Sequence, residues 1–330
     1  FDIRNTHEPS TVNVTGRKVW NDGDNQDGIR PASVTVSLYA DGKPVTDDQG
    51  KAYTAVVSTE TEWTFSFDGL PEFRDGGTPI VYTIKEDAVA GYSAEISKDK
   101  ITGTYTITNT HTPERITING SKIWADDNDR DGIRPEYITV RLLADGTEVK
   151  TAQVRAGENG NWTYSFADVP KYASGKEIVY SVTEDTVAGY NTNIDGYTIT
   201  NTHAVEKTEV TVNKIWNDDG DRDRVRPTSI TVTLWADGNK VTDVTFGPDN
   251  AGNWNYTFSN LNKKNAGKDI VYTVTENQVD HYTTDITGTV ITNTHEIETV
   301  TVSGHKTWND ADNQDGKRPD SITVYLFADG

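Results

Sequence analysis

Three residue types that can together form an amide bond between side chains recur at regular intervals along the 330-residue chain. A neutral lysine amine held against an asparagine carboxamide can displace ammonia, while a nearby carboxyl group polarises the carbonyl and transfers protons. Here lysine lies in Lys-x-Trp motifs, glutamate ends Tyr-x-x-x-Glu motifs, and asparagine opens Asn-Thr-His motifs. The complete sets, called triads below, are Lys18, Glu86 and Asn109; Lys122, Glu184 and Asn201; and Lys214, Glu276 and Asn293.

The spacing of these motifs defines a sequence repeat. Successive Lys-x-Trp motifs are separated by 104, 92 and 92 residues, and the Asn-Thr-His motifs follow the same intervals. Such periods are typical of tandem repeat proteins. The predicted segments are 1–9 (last strand of a preceding repeat), 10–112, 113–204 and 205–296 (complete repeats one to three) and 297–330 (truncated start of a fourth repeat). Asn5 and Lys306 occupy the same motif positions, but their triad partners lie outside the chain.

Apolar and polar residues alternate through each repeat, which predicts half-buried β-strands. Lys18 shares the phase of Val12 and Val14, and should therefore point into the core. The glutamate and the asparagine of each triad likewise share the phase of the apolar residue two positions earlier. Short strands bounded by turn signals, without helical periodicity, predict an all-β fold of tandem antiparallel β-sandwiches. Each repeat should then bury one lysine, one glutamate and one asparagine.

Two interpretations of a buried triad follow from the residues. The first is a Lys–Glu salt bridge with the asparagine as a hydrogen-bonding neighbour, because unpaired buried charges cost several kcal/mol each. In the second, burial shifts lysine towards its neutral amine and glutamate towards its acid, so that the amine attacks the carboxamide. The residue pattern alone leaves both interpretations open.

The motif series Lys-x-Trp-x-Asp, Asp-Gly-x-Arg-Pro, Tyr-x-x-x-Glu and Ile-Thr-Asn-Thr-His resembles the B-type (Cna B-like) repeats of collagen-adhesin-like surface proteins of Gram-positive bacteria. The resemblance covers essentially the whole chain, and it implies an inverse immunoglobulin-like sandwich. It also implies that Glu86, Glu184 and Glu276 catalyse single-turnover bond formation, without any enzymatic turnover. The implied isopeptide crosslinks are Lys18–Asn109, Lys122–Asn201 and Lys214–Asn293. Repeat three departs from the pattern at Asn213, beside its lysine, and at Arg224, where the loop glycine is replaced.

The resemblance implies a structural stalk of an extracellular adhesin anchored to the cell wall, with the anchor outside this stretch. Its expected partners are the neighbouring repeats, a distal adhesive domain and the cell wall, with the host ligand unknown. Two alternatives remain: repeats that themselves bind host matrix or another cell, and a pilin-type shaft. The net charge of −20 argues against binding to nucleic acid or to anionic membranes. The sequence contains no cysteine and no apolar run long enough to span a membrane, and it predicts no cofactor.

An acidic loop follows the tryptophan of each Lys-x-Trp motif. In repeat two, Asp127, Asp129 and Asp131 imitate the opening of a calcium loop, but Ile138 stands where a bidentate glutamate is required. We therefore predict no metal site, with weak cation binding at these three aspartates as the alternative. The loop carboxylates are instead expected to meet the arginine of the Arg-Pro motif, which is Arg30, Arg134 or Arg226. The histidines of the Asn-Thr-His motifs, His7, His111, His203 and His295, are predicted to be surface residues at repeat junctions.

Overall fold

A computed structural model describes residues 1–329 of the chain. It divides into two compact units, residues 1–205 and the residues from Glu206 onward. Apart from a short 3₁₀ turn at Thr59–Thr61, the regular structure of the described residues is β-strand. No helix in this part of the chain is long and apolar enough to cross a membrane.

The first compact unit contains the strands of repeats one and two. Those of repeat one are β1 (Thr11–Asn21), β2 (Ser33–Ala40), β3 (Lys43–Pro44), β4 (Thr54–Ser58), β5 (Thr64–Pro71), β6 (Phe73–Arg74), β7 (Thr78–Pro79), β8 (Tyr82–Glu86), β9 (Ser93–Lys98) and β10 (Tyr105–Thr110). Those of repeat two are β11 (Arg115–Ala125), β12 (Ile138–Ala144), β13 (Thr147–Val154), β14 (Trp162–Pro170), β15 (Tyr172–Ala173), β16 (Lys176–Glu177), β17 (Tyr180–Glu184), β18 (Asn191–Asp195) and β19 (Thr198–Thr202).

The second compact unit contains the strands of repeat three. They are β20 (Lys207–Asn217), β21 (Ile230–Ala236), β22 (Asn239–Phe246), β23 (Asn255–Asn262), β24 (Lys264–Asn265), β25 (Lys268–Asp269), β26 (Tyr272–Glu276), β27 (Thr283–Thr287) and β28 (Val290–Thr294).

Each repeat is a sandwich of two sheets. In repeat one the first sheet has the order β5-β1-β10-β9, and the second consists of β3, β2 and β4 with β8 paired to β2. Repeat two has sheets β14-β11-β19-β18 and β13-β12-β17, and repeat three has β23-β20-β28-β27 and β22-β21-β26. The predicted all-β sandwich fold is therefore confirmed.

One pairing in each repeat is parallel, unlike the antiparallel pairing that the sequence predicts. The first strand pairs with the last in the same direction: β1 with β10, β11 with β19, and β20 with β28. Parallel neighbours need a long connection between them. Here nearly the whole repeat is that connection, so its two ends lie side by side in one sheet.

The core of each repeat lies between the two sheets, where the alternating apolar residues meet. In repeat one Val36, Leu38 and Ile107 are at most 1% exposed. Fully burying a side chain of this size contributes about 1.5–3 kcal/mol. The facing strands therefore fix which side of β1, β8 and β10 is buried, and with it the direction of every triad side chain.

Residues 1–10 and 297–329 form no strands. That residues 1–9 are the last strand of a preceding repeat stays a prediction. The last strand of a complete repeat is hydrogen-bonded on both sides, as β10 is by β1 and β9. No described strand pairs with residues 1–9, and an extended segment without such partners leaves its backbone groups to water.

The loop of repeat three keeps the conformation of the other two despite its substitution. Arg224 has φ of 55°, close to the 71° of Gly28 and the 66° of Gly132. A non-glycine residue in the left-handed region costs about 1–2 kcal/mol. The loop conformation is therefore imposed by its surroundings rather than by the glycine.

Candidate crosslinking site

The lysine and asparagine of each triad lie on neighbouring parallel strands of one sheet. In repeat one, Lys18 on β1 is opposite Ile107 of β10, and Asn109 lies two positions further along, opposite Trp20. The same register occurs in repeats two and three. Neighbouring strands are about 4.8 Å apart and two residues span about 6.6 Å. An extended lysine side chain can therefore reach the asparagine on the same face.

The glutamate approaches from the opposite sheet. Glu86 ends β8, which pairs with β2 in the register Val36–Glu86, and its carboxylate crosses the core to the lysine. The Nζ–Oε1 distance is 3.5 Å for Lys18 and Glu86. The corresponding distances are 3.6 Å in repeat two and 3.4 Å in repeat three. In every triad the lysine side chain is 0% exposed and the glutamate side chain at most 2%.

The asparagines are the most deeply buried members of the triads. Asn109, Asn201 and Asn293 are each 0% exposed. Neither the amide nitrogen nor the oxygen of any of them has a hydrogen-bond partner among the described residues. Leaving a buried polar group unpaired costs about 1–3 kcal/mol. The structure therefore does not support the interpretation in which the asparagine is a hydrogen-bonding neighbour of a salt bridge.

Burial shifts the three lysines towards the neutral amine. The pKa of Lys18 falls from 10.5 to about 8 because the core excludes water, and the nearby Glu86 carboxylate only partly opposes this effect. The pKa values of Lys122 and Lys214 fall to about 8 for the same reason. The lowered pKa means that more of each lysine is the nucleophilic amine at neutral pH than in a solvated lysine.

A tryptophan two residues after each lysine forms one wall of the site. The Nζ atom of Lys18 lies 4.1 Å from the ring centroid of Trp20. The indole of Trp20 in turn meets Trp63 and Tyr92 edge-on, at centroid distances of 5.3 and 4.9 Å. These rings shield the amine from water. Lys306 makes the same local contact with Trp308, with its Nζ atom 4.2 Å from the ring centroid. Both Lys306 and Asn5 are exposed and lie outside the three sandwiches.

Sequence reasoning missed the residue that holds the glutamate. In repeat two the Thr192 hydroxyl donates to Glu184 Oε2 at 2.9 Å. In repeat three Thr284 does the same to Glu276 at 3.1 Å. Ala94 occupies this position in repeat one, opposite Asn109. The signal was a threonine eight residues after the glutamate in two repeats, on a strand that sequence reasoning had not placed beside the triad.

The acidic loops are held by arginine, as predicted, but through a different carboxylate. Arg30 donates through Nη2 and Nε to Asp22 at 2.6 and 3.0 Å, and Tyr92 donates to the same carboxylate at 2.8 Å. These bonds hold the pKa of Asp22 at about 2. The matching pairs are Arg134 with Asp126 and Arg226 with Asp218.

The three aspartates that imitate a calcium loop in repeat two each bind a different partner. Asp127 pairs with Arg130, Asp129 accepts the backbone amide of Arg134, and Asp131 meets His203. Across residues 1–329 no three acidic, histidine or cysteine side chains converge as metal ligands.

The histidines predicted to be surface residues at repeat junctions are only partly exposed at three of the four positions, His111, His203 and His295. His111 Nε2 lies 2.8 Å from Asp27 Oδ2, its Nδ1 lies 3.0 Å from the Gly91 carbonyl, and its side chain is 18% exposed. Both ring nitrogens thus face acceptors, which an imidazolium satisfies with two N–H groups. His203 and His295 make the equivalent contacts. The signal in the sequence was an aspartate recurring with the histidine in every repeat.

The Asp27–His111 pair also ties repeat one to the chain that enters repeat two. The same Asp27 oxygen accepts the amide of Glu114 at 2.8 Å. Nearby, the Gly175 amide donates to the Gln26 carbonyl at 3.0 Å. A Cβ atom on Gly28 would lie 2.4 Å from Gly175 Cα, so the two repeats meet backbone to backbone. The loop of repeat one therefore serves as the junction with repeat two.

We expect His111 to titrate above its ordinary pKa of 6.5, because the Asp27 carboxylate stabilises the imidazolium. Its contribution to stability is complete below pH 6.5 and is lost as the pH rises through the raised pKa. An NMR titration of the histidine ring protons checks this expectation. Asp27→Asn should lower the midpoint of His111, whereas the matched change Asp131→Asn should leave it unaltered. An unchanged midpoint in Asp27→Asn would contradict the assignment.

Comparison with known proteins identifies relatives of the whole chain. A model of the Cna protein B-type domain matches residues 14–110, 118–202, 210–294 and 302–330. A collagen adhesin of Staphylococcus aureus is 42% identical over 335 residues, which is 99% of this chain and 27% of the relative. The chain therefore spans about a quarter of the length of that curated relative.

Two crystal structures of B repeat units are also similar to this chain. A crystal structure of two B repeat units of the collagen-binding protein Cna of Staphylococcus aureus has 38% sequence identity and a TM-score of 0.53. That match covers 86% of this chain and 74% of the other. A crystal structure of a single B repeat unit of the same surface protein has 40% identity and a TM-score of 0.27, covering 55% of this chain and 99% of the other.

Proposed function

This chain belongs to the family of Cna B-type domains, and from that premise we propose that it is a load-bearing stalk segment of a bacterial cell-surface adhesin. Cna B-type repeats are structural modules rather than enzymes. In the proposal, each complete repeat closes one isopeptide bond: Lys18–Asn109, Lys122–Asn201 or Lys214–Asn293. The observation that carries it is an unpaired, fully buried asparagine on the strand adjacent to that of a buried lysine, repeated three times.

The proposed reaction balances without any cofactor. Proton transfer from the lysine ammonium to the glutamate carboxylate leaves a neutral amine and a neutral acid. The Nζ lone pair attacks Asn Cγ while the acid polarises Oδ1. The acid then protonates Nδ2, and the resulting carboxylate takes the second proton from Nζ. The Cγ–Nδ2 bond breaks, ammonia leaves, and the glutamate remains as the neutral acid. Each triad thus converts one amine and one primary amide into one secondary amide and one ammonia molecule.

The fold supplies most of the acceleration in this scheme. Holding reacting groups together in a dry site can replace about 7–11 kcal/mol of the barrier. The first and last strands hold the two reactants side by side, and the second sheet brings the glutamate to them. Aromatic rings close the site, so the amine remains desolvated.

The proposed domains are the repeats 10–112, 113–204 and 205–296, and the family-model matches to these repeats lie inside those limits. In a stalk, their partners along the chain are the neighbouring repeats, a distal adhesive domain and the cell wall. The close junction between repeats one and two supports this role, because a stalk must transmit force from one repeat to the next.

The intact mass of the folded chain tests the proposal. Three closed triads lower the mass by three ammonia molecules relative to the sequence, because each bond expels one. Mass spectrometry of the denatured chain measures this difference. Lys18→Arg should reduce the loss to two ammonia molecules, since arginine has no nucleophilic amine. A folded chain with the full mass calculated from the sequence would contradict the proposal.

A further inference from the structure

The tryptophan of each Lys-x-Trp motif contains a buried donor without an acceptor. The Nε1 atoms of Trp20, Trp124 and Trp216 are inaccessible to solvent and have no hydrogen-bond partner among residues 1–329. Buried tryptophans usually satisfy this N–H group, because an unpaired donor costs about 1–3 kcal/mol. Three repeats of this chain carry the same unpaired group at the same position.

The residue directly opposite each of these tryptophans on the neighbouring strand is the triad asparagine, whose carboxamide is also unpaired. Trp20 is the direct register partner of Asn109, and Trp124 of Asn201. Register partners on adjacent strands place their side chains on the same face about 4.8 Å apart. The two side chains therefore lie on the same face of adjacent strands in each site, one with an unpaired N–H donor and the other with an unpaired carboxamide oxygen.

We infer that the indole N–H of Trp20, Trp124 and Trp216 stabilises the oxyanion that forms on the triad asparagine during crosslinking. This inference rests on the proposed isopeptide reaction and names a further catalytic residue for it. When Nζ bonds to Cγ, the carbonyl π electrons move to Oδ1, and the planar carbon becomes tetrahedral. The oxygen thereby gains negative charge and changes position. When the Cγ–Nδ2 bond breaks, that charge returns to the carbonyl.

An unpaired ground state is what such a role requires. A donor accelerates a reaction only if it binds the transition state more strongly than the ground state. A donor already bonded to the asparagine would stabilise the reactant as well. The effective donors are those placed for the oxyanion rather than for the ground-state carbonyl.

The other functions of this tryptophan need the ring but not the N–H group. Trp124 packs edge-on against Trp162 and Tyr190, at centroid distances of 5.3 and 4.9 Å. Its face lies 4.2 Å from Lys122 Nζ. A phenylalanine retains an aromatic face and edge. Trp235 of repeat three lies outside the triads, and its Nε1 donates to the Thr275 hydroxyl at 2.9 Å.

The test follows the closure of repeat two in Trp124→Phe. The full chain is made by cell-free synthesis, quenched in denaturant at successive times, and digested so that each crosslinked peptide is quantified by mass spectrometry. Removing one oxyanion donor typically slows a reaction by about 10²–10³-fold. We expect Lys122–Asn201 to form at least about 100-fold more slowly than in the wild type. Repeats one and three should close on the wild-type schedule. All three repeats should do so in the control Trp235→Phe, which removes an indole N–H outside the triads.

A second substitution covers the case in which Trp124→Phe impairs folding of repeat two. Benzothienylalanine at position 124 retains the fused ring and replaces only the N–H group by sulfur. Wild-type closure of repeat two in this chain, or in a folded Trp124→Phe chain, would overturn the role of the indole while leaving the stalk proposal intact. Absence of all three crosslinks from the wild-type chain would instead overturn the proposed reaction, and this inference with it.

Discussion

Pulled from its two ends, the wild-type chain should extend without unfolding any complete repeat, whereas Glu184→Ala should release repeat two in one long step. Force enters a repeat near its lysine and leaves near its asparagine, and these residues lie on adjacent parallel strands. The proposed covalent bond between them would carry the force directly. The strands between Lys122 and Asn201 are then outside the load path.

The expected lengths separate the two outcomes clearly. Lys122 and Asn201 are 79 positions apart in the sequence. Unfolding the uncrosslinked repeat would therefore release roughly 250–280 Å of chain at 3.3–3.6 Å per residue. The segment between Asn109 of one repeat and Lys122 of the next is 13 positions long, and it can span only about 45 Å when extended. Part of it is already extended in β11, so it can lengthen little.

Single-molecule force spectroscopy on the full chain measures these steps. Glu158→Ala, which removes an exposed carboxylate from the same repeat, is the matched control and should behave as the wild type. The lysine of every triad lies 13 positions after the asparagine of the preceding Asn-Thr-His motif. The extra residues of repeat one lie between Lys18 and Asn109, so they do not lengthen this connecting segment. Full-length unfolding steps in the wild-type chain would rule out the load-bearing mechanism.

Glu86→Ala should leave repeat one folded but uncrosslinked and much less stable. By analogy with a disulfide, a crosslink that closes a loop of about 90 residues stabilises the folded state by roughly 4–5 kcal/mol through the unfolded chain. For a domain of this size, that difference lowers the melting temperature by roughly 20–40 °C. Calorimetry should show one transition moved to low temperature, and the mass should show the loss of only two ammonia molecules.

The conservative variant Glu86→Gln separates catalysis from packing. Glutamine fills nearly the same space in the core but cannot accept the lysine proton, so the crosslink should be missing from this variant as well. Repeats two and three contain their own glutamates and should close normally. A Glu86→Gln chain that loses three ammonia molecules would refute the proton-transfer role. Loss of all the crosslinks from this single change would refute the independence of the repeats.

The repeat, the all-β class and the burial of each triad side chain could be predicted from the amino-acid sequence alone. These features are local or periodic: period-two alternation decides which face of a strand a side chain occupies, whatever the strand later pairs with. The contact of lysine with tryptophan is local in the same sense. Lys306 and Trp308 form it at 4.2 Å without any sandwich around them.

Only the tertiary structure decided what the buried faces meet. Parallel pairing of β1 with β10 places Asn109 two positions beyond Lys18, and no local pattern specifies a partner about 90 residues away. The same holds for Asp22 as the partner of Arg30 and for Asp27 as the partner of His111. The calcium-like spacing of Asp127, Asp129 and Asp131 can be seen in the sequence because these residues are close along the chain. In the folded repeat each of them has a different partner: a side-chain cation, a backbone amide or a histidine. Burial, which lowers the pKa of Lys18 to about 8, is likewise a property of the closed sandwich, because desolvation requires both sheets to exclude water.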